Sequence, residues 1–259
     1  MSSISSLLLI VKKVAAIAGF WVVIIVVWQT LVSYGVLPEY IFGSPLGVYY
    51  EFQRYVEIGF IYVDVPITYT EAFAGLILGI TLGVTLAIIG AFYTGLVEPI
   101  IITFKSIPHI LIAAMIITLL GVGVLPKILI SMVFSFSIVF FNVYAGMTSI
   151  SHNLISLFKL YKASRRDMLL KLLLPYAILW LSASLRQAFL LSFSGAFLGE
   201  FLAARYGLGY RLQYYITVYN TNGVWVIAVL IMVPTLIFLA ILRVIERKVK
   251  EIYGLSGAH

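Results

Sequence analysis

Few side chains in this sequence could catalyse a reaction. The chain has no cysteine, and its three histidines, at positions 109, 152 and 259, lack the spacing of a metal-ligand set. No G-x-x-x-x-G-K-[ST] phosphate-binding loop is present, and no apolar segment is rich in Asp or Glu as a proton relay requires. We therefore expect no enzyme activity and no cofactor in this chain.

Ionisable residues inside apolar segments are the next candidates. Arg186 lies well inside such a segment, where a guanidinium is costly and marks either a functional site or an ion pair. A structural arginine that reaches the interface or bonds to helix carbonyls is the alternative. We take Arg186 and Glu200 as candidate functional residues within the membrane. Glu71 is expected to mark a membrane boundary, and His109 to be packed and hydrogen-bonded.

Glycines recur at helical spacing in one apolar segment. Gly75, Gly79 and Gly83 lie at i, i+4 and i+8, so they share one helix face and let another backbone approach closely. Gly195 and Gly199 repeat this spacing. The pattern predicts helix packing within the chain, and a dimer contact or a sliding helix remains the alternative.

The elements that must position these residues are membrane-spanning helices. Hydrophobic residues make up 63% of the chain and charged residues 10%, too little polar surface for a water-soluble fold. Apolar runs of about 20 residues select helices over β-strands. We predict an all-α integral membrane protein with six transmembrane helices, at about 14–33, 66–91, 99–120, 126–147, 173–198 and 222–245.

The distribution of basic residues predicts the orientation. Eleven of the seventeen fall on one side of the six-span arrangement: Lys12, Lys13, Lys159, Lys162, Arg165, Arg166, Lys171, Arg243, Arg247, Lys248 and Lys250. Cytoplasmic loops carry such an excess, which places both termini and the loop 148–172 in the cytoplasm of a multi-pass cell-membrane protein. The net charge of +7 then reflects topology and indicates no nucleic-acid partner.

We divide the chain into a cytoplasmic N-terminus (1–13), a single transmembrane domain (14–253) and a short tail (254–259). The first apolar run is too long for a signal peptide and is read as a retained anchor. Within the loop 148–172, apolar residues recur at three- and four-residue intervals among basic ones. This pattern predicts one or two short amphipathic helices suited to docking a partner.

An ordered set of short motifs now becomes recognisable over residues 28–253. It comprises Trp28, the LPEYIFGSP segment ending at Ser44-Pro45, the glycine ladder, Glu98-Pro99, Ile107-Pro108, Gly121-Val122-Gly123, LLLP ending at Pro175, Ser184-Leu185-Arg186, Glu200 and Gly207-Leu208-Gly209. The set resembles the transmembrane permease subunits of ATP-binding-cassette (ABC) importers, particularly the nitrate/sulfonate/taurine group. The resemblance implies a type I ABC importer (MetI-like) permease fold.

The hallmark of that family is a cytoplasmic loop of the form E-A-A, three residues, G, then I-x-L-P. Counted back from Pro175, the E-A-A positions fall on Ser156, Leu157 and Phe158, and the glycine position falls on Lys162. Only the second half of the motif is kept. Glu71 is a second departure, because the group often has a basic residue there.

The resemblance implies a permease homodimer in the bilayer, an ABC ATPase carrying ATP and Mg²⁺, and an extracytoplasmic substrate-binding protein. Leu157, Phe158 and Tyr161 would be apolar anchors in a groove of the ATPase, within a rim of Lys159, Lys162, Arg165 and Arg166. The substrate could be nitrate, a sulfonate such as taurine, or a vitamin precursor. An ATP-independent channel or secondary transporter, or a membrane scaffold protein, remains the alternative.

Overall fold

The computed structural model describes residues 2–93, 97, 99 and 106–253, and the regular structure within these residues is helical. Two long helices flank a pair of short ones: α1 (Ser2–Ser33), α2 (Glu39–Phe42), α3 (Pro45–Glu57) and α4 (Ile61–Phe92). After residue 105 come α5 (His109–Leu120), α6 (Val124–Thr148), α7 (His152–Leu160) and α8 (Arg165–Met168). A π-helical turn (Leu169–Leu173) leads into α9 (Leu174–Ala203), and α10 (Leu208–Thr217) and α11 (Thr221–Ile252) follow.

Four of the predicted spans lie in helices long and apolar enough to cross a membrane. These helices are α4, α6, α11 and the continuous helix Arg165–Ala203, which contains α9. The predicted span 14–33 lies in α1, whose described apolar part is the shorter Gly19–Ser33. The span 99–120 is represented by α5, and its first part, with Glu98 and Lys105, lies outside the described residues, as does the tail 254–259.

The described residues group into two compact units, of which one comprises Met1–Phe60 and Leu212–Val229. Its short α3 begins where the sequence places Ser44-Pro45: the Ser44 hydroxyl accepts the Gly47 N–H as an N-cap, and proline occupies the first turn. Asn222 accepts the Ser44 N–H, and the Trp225 indole donates to the Phe42 carbonyl at 2.9 Å. Side chains of α11 thereby fix the loop that leads into α3.

The other unit comprises Ile61–Arg211 and Leu230–His259 and is built on α4, α6 and α9. Residues 75, 79 and 83 of α4 meet α6 at 131, 135 and 139, so these two helices run parallel. On α9, Gly195 meets Ser131 and Gly199 meets Lys127, so α9 is antiparallel to both. Aromatic rings fill the space beside them, with the Phe189 and Phe238 centroids 4.3 Å apart.

The π-helical turn lies where Pro175 enters the helix Arg165–Ala203. A proline in a helix lacks the N–H donor and its ring clashes with the carbonyl four residues earlier. The Leu174 N–H bonds to the Leu169 carbonyl, five residues back, which widens the turn in front of the proline. The LLLP motif therefore joins the polar loop to the apolar helix without a break.

Candidate functional site

The predicted amphipathic loop folds as α7, a polar turn and α8. Ser151 caps α7 by accepting the Leu154 N–H, and Ser164 caps α8 by accepting the Asp167 N–H. Both caps are local serine signals that fix where each helix begins. Ser156, at the first E-A-A position, is exposed and bonds to the His152 ring at 3.1 Å.

The two faces of α7 have different surroundings. Leu154, Ile155 and Phe158 pack against the core of this chain. Leu157, Leu160 and Tyr161 lie on the opposite side, and Leu160 and Tyr161 are each 78% exposed. The exposed apolar stripe is therefore Leu157, Leu160 and Tyr161. Phe158, expected among the apolar anchors, instead packs α7 against its own chain. Leu160, which was not among the predicted anchors, belongs to the exposed stripe.

Basic side chains surround this stripe. Lys159, Lys162, Arg165 and Arg166 are all exposed. The carboxylate of Asp167 pairs with Lys171 at 2.7 Å, and accepts a hydrogen bond from the Ser164 hydroxyl at 2.6 Å. The arrangement is an apolar patch with a cationic rim, the surface expected for docking an acidic or amphipathic protein groove.

Lys162, at the position where the resemblance implies a glycine, has a backbone conformation that favours glycine. Its φ is +52°, in the left-handed region that glycine adopts freely and that L-residues adopt at a cost of about 1–2 kcal/mol. The Lys162 N–H bonds to the Lys159 carbonyl, and the Ala163 N–H to the Phe158 carbonyl, closing the turn after α7. A closed turn therefore follows α7 even though no glycine is present at position 162.

The glycine ladder is a packing device within the chain. A Cβ added at Gly75 or Gly79 would overlap a serine side chain of α6 and lie 2.8 Å from a backbone nitrogen. Serines bridge the helices at this contact: Ser192 donates to the Ala72 carbonyl at 2.6 Å and contacts Ser131 at 2.7 Å. Such small and hydroxyl-bearing residues let membrane helices approach closely.

Glu71 does not lie at a boundary exposed to solvent. It is 2% exposed and forms an ion pair with Lys127, whose side chain is 7% exposed. Glu71 lies about three turns into α4 and Lys127 lies in the first turn of α6, and the packing of these parallel helices brings the two together. The expectation of a simple boundary residue was wrong, because the partner of Glu71 lies on another helix and no local sequence pattern indicates that contact.

A second buried ion pair links Asp64 and Arg211. The Arg211 Nε lies 2.8 Å from an Asp64 carboxylate oxygen, and Asp64 also accepts the Gly207 N–H at 2.9 Å. Both residues are buried, although they lie outside the predicted transmembrane spans. The outer Gly207-Leu208-Gly209 turn is the signal that could have located this site, because its amides need acceptors.

Glu200 is fully buried and completes this polar cluster. Its carboxylate lies 2.8 Å from the Thr68 hydroxyl and accepts the Gly209 N–H at 2.8 Å, while Thr68 accepts the Leu208 N–H. Glu200 also interacts electrostatically with Glu71 and Lys127. Three carboxyl groups and two cations therefore share one interior site, defined here as the buried cluster: Asp64, Thr68, Glu71, Lys127, Glu200 and Arg211.

Arg186 lies near the middle of α9 and forms an ion pair with α11. Its guanidinium lies 2.9 Å from Glu246, whose second oxygen accepts from Lys250 at 2.8 Å. The Arg186 Nε is buried and has no hydrogen-bond partner among the described residues. The sequence-predicted candidates Arg186 and Glu200 therefore lie in separate sites. Arg186 belongs to the ion pair with Glu246, and Glu200 belongs to the buried cluster.

His109 contacts Ser137 through its Nε2 at 3.0 Å and meets the Phe134 ring edge-on, which is the packed environment expected of it. No group of three or more potential metal ligands lies among the described residues.

Comparison with known proteins identifies the family. The sequence profile of the binding-protein-dependent transport system inner membrane component matches residues 75–251. A probable ABC transporter permease of Haemophilus influenzae is 29% identical, with 73% of this chain and 78% of that protein aligned. The riboflavin transport system permease of Chloroflexus aurantiacus is 27% identical, over 86% of this chain and 85% of the relative. A sulfonate transport permease of Bacillus subtilis is 23% identical, over 87% and 83%.

The fold has counterparts among solved structures. A chain of the MetNI methionine ABC transporter in an inward-facing conformation superposes with a TM-score of 0.59 at 22% identity, covering 74% of this chain and 95% of that one. The predicted MetI-like, type I importer permease fold is confirmed, in a multi-pass membrane protein. By its profile match over most of its length, this chain belongs to the family of binding-protein-dependent transport system inner membrane components, the permease subunits of ABC importers.

Proposed function

We propose that this chain forms the translocation path of an ATP-driven importer as a homodimer, and that α7 couples it to a separate ATPase. The observation that carries the proposal is the Leu157, Leu160 and Tyr161 stripe, an apolar patch on a short loop helix within a cationic rim. Exposed apolar patches with polar rims mark protein interaction surfaces. ATP and Mg²⁺ bind to the partner, so this chain needs no cofactor and catalyses no reaction.

The turn at Lys162 supports coupling despite the lost motif residues. A coupling helix must move as a unit with the helix that follows it. The closed turn at Lys162, the Ser164 cap and the continuous helix Arg165–Ala203 give α7 a short, ordered connection to α9. A movement imposed on α7 would therefore be transmitted to α9.

The remaining parts of the assembly follow from the basic-residue distribution and the family. Both termini and α7 face the cytoplasm, and an extracytoplasmic binding protein delivers the substrate to the opposite side. Relatives include permeases for riboflavin, formylaminopyrimidine and aliphatic sulfonates. The proposed substrate is accordingly a vitamin precursor, a sulfonate such as taurine, or nitrate.

The test is co-purification with the ATPase encoded nearest to this chain. Replacing Leu157 and Tyr161 together by Ser should abolish co-elution in detergent, while the chain alone still elutes as a single species. The matched control replaces Leu46 and Tyr50 by Ser. These residues have the same types and i, i+4 spacing, and 53% and 59% exposure, but lie on α3. The control should retain the ATPase.

Two outcomes would contradict the proposal. If the wild-type chain binds no such ATPase, the channel or scaffold hypothesis replaces the importer. If both double variants lose the ATPase equally, the stripe on α7 is not the docking surface.

A further inference from the structure

A groove between α9 and α11 is bordered by two facing rows of side chains. Tyr176, Trp180 and Ala183 of α9 line one wall of a cavity of about 580 Å³. Lys250 of α11 and the following Tyr253 line the other wall. Spacing of three and four residues places the members of each row on one helix face. The cavity therefore opens between α9 and the end of α11.

Trp180 places this groove at a membrane interface. Its ring packs on Gly146, where an added side chain would overlap the indole. Gly146 lies in the last turn of α6, which ends at Thr148 and is followed by the polar segment with α7. Trp and Tyr are enriched where helices pass from hydrocarbon to headgroups, because their rings are apolar and their N–H or O–H groups are polar. The aromatic walls of the cavity therefore suit the headgroup layer, at the end of the bundle that carries α7.

Positive charge exceeds negative charge beside the groove. Arg186 follows Ala183 by one turn of α9, and its guanidinium lies 2.9 Å from Glu246. The same carboxylate pairs with Lys250 at 2.8 Å. Arg243, one turn before Glu246 on the same side of α11, is exposed and has no ion-pair partner among the described residues. Three cations and one carboxylate leave an excess of two positive charges.

The other acidic residues of these two helices do not offset the excess. On α11, Glu251 pairs with Arg247 at 3.0 Å, and on α9, Glu200 belongs to the buried cluster. The Arg186 side chain is 39% exposed, and its Nε has no hydrogen-bond partner among the described residues. Arg186 can therefore take a further anionic partner besides Glu246.

An anionic phospholipid fits both the charge and the walls of the groove. Arg and Lys recognise phosphate, and basic pockets between membrane helices on the cytoplasmic side bind lipid headgroups. An acyl chain suits the apolar wall, which includes Leu179 and the aromatic rings. A soluble phosphate compound would use the cations but gain nothing from this wall. A second protein chain would have to bring an acidic residue to the membrane, where charged side chains are rare and costly.

We propose that the groove between α9 and α11 binds an anionic phospholipid, with Arg186, Arg243 and Lys250 around its phosphate and Trp180 beside its acyl chain. Glu246 contacts two of these cations, so its charge weakens the site. A lipid bound there joins α9, the helix connected to α7, to the end of α11. The site goes beyond the proposed importer function, because lipid binding requires neither an ATPase nor a substrate.

Native mass spectrometry of the purified chain in detergent measures the binding of dioleoylphosphatidylglycerol and dioleoylphosphatidylcholine, which have the same acyl chains. The anionic lipid should bind about tenfold more tightly or better. Lys250→Gln should lower the affinity for phosphatidylglycerol about fivefold. The matched control is Lys248→Gln, which removes the same charge from another face of α11 and should change the affinity less than about twofold. Equal affinities for the two lipids, or equal losses in the two variants, would overturn the proposal.

A gain of affinity provides a second test. Glu246→Gln leaves Arg186 and Lys250 without their carboxylate and should raise the affinity for phosphatidylglycerol about fivefold. Glu251→Gln removes a paired carboxylate from the same helix and should change the affinity less than about twofold. Equal gains in both variants would show an effect of net charge alone and would overturn the site.

Brominated acyl chains quench nearby tryptophans and locate the bound lipid. Brominated phosphatidylglycerol should quench the wild-type chain more than Trp180→Phe, because Trp21, Trp28 and Trp225 are not among the residues that line the cavity. Equal quenching of the two proteins would overturn the site. Displacement of the lipid by an equal concentration of glycerol 3-phosphate would assign the cations to a soluble phosphate compound and would also overturn it. None of these outcomes affects co-purification with the ATPase, so the proposed function is tested separately.

Discussion

The Glu71 carboxylate and the Lys127 ammonium form an ion pair inside the helical bundle, with 2% and 7% of their side chains exposed. Burying two charges costs several kcal/mol per ion, and their attraction offsets that cost only while both are present. Glu200 adjoins the pair and interacts with both members. The three residues join α4 and α6 to the end of α9.

Removing Lys127 alone should be more harmful than removing Lys127 and Glu71 together. Lys127→Met leaves Glu71 and Glu200 facing each other without a cation, and should lower the free energy of unfolding by about 3–5 kcal/mol. Glu71→Leu leaves Lys127 beside Glu200 and should cost less. The double variant should be less destabilised than Lys127→Met, because Glu200 is then the one carboxylate of the three residues that lacks a cation. Unfolding in mixed micelles measures all three.

An additive double variant would show that the two residues do not act as a pair. If Glu71→Leu proved the more damaging single change, Glu200 would not be the neighbour that decides the asymmetry.

The sequence predicted the long helices and α7, but not the contacts between residues that are distant in the chain. The apolar runs predicted α4, α6, α9 and α11, and the spacing of apolar residues predicted α7, because both are local periodicities. Asp64 and Arg211 are far apart in the chain, and no local pattern indicates that the antiparallel return of α9 brings them together. The inward face of Phe158 was likewise unpredictable, because an amphipathic helix flanked by two partners has apolar residues on both sides.

The glycine ladder should tolerate no side chain at Gly79. A Cβ there meets the Ser135 side chain and the backbone of α6, 2.8 Å from the Phe136 nitrogen, so α4 and α6 must separate. Gly79→Ala should therefore destabilise the chain by about 1–3 kcal/mol, the typical cost of overpacking. Gly19→Ala is the matched control, since no atom lies within 4 Å of the added Cβ in helix α1. It should be neutral or stabilising in the same unfolding assay. Equal effects of both changes would show that helix propensity, and not close packing, governs Gly79.

The left-handed backbone at Lys162 predicts an unusual tolerance of glycine. Lys162→Gly relieves a strained φ of +52° while adding chain entropy to the unfolded state, so stability should change by less than about 1 kcal/mol. Lys162→Val should lower it by about 1–3 kcal/mol, because a β-branched residue is disfavoured in this region. Lys159→Gly, inside α7, should cost about 1 kcal/mol.

Co-purification of Lys162→Gly with the ATPase would show that the turn, and not the lysine charge, is what coupling requires. A loss of the ATPase in this variant, with unchanged stability, would assign the contact to the ammonium group.

The hydroxyl of Thr68 should hold the buried cluster together. It lies 2.8 Å from the Glu200 carboxylate and accepts the Leu208 N–H at 2.9 Å, so it joins α4, α9 and α10. Thr68→Val keeps the shape but leaves a buried carboxylate and a buried amide each short of a partner, which should cost about 1–3 kcal/mol. Thr68→Ser keeps the hydroxyl and should recover most of that loss.

Thr70→Val is the control. The exposed Thr70 hydroxyl bonds only to carbonyls of its own helix, and its loss should change stability by less than about 0.5 kcal/mol. If Thr68→Val and Thr70→Val behaved alike, the cluster would be held by its ion pairs alone, and Glu200 would not depend on the hydroxyl for its position.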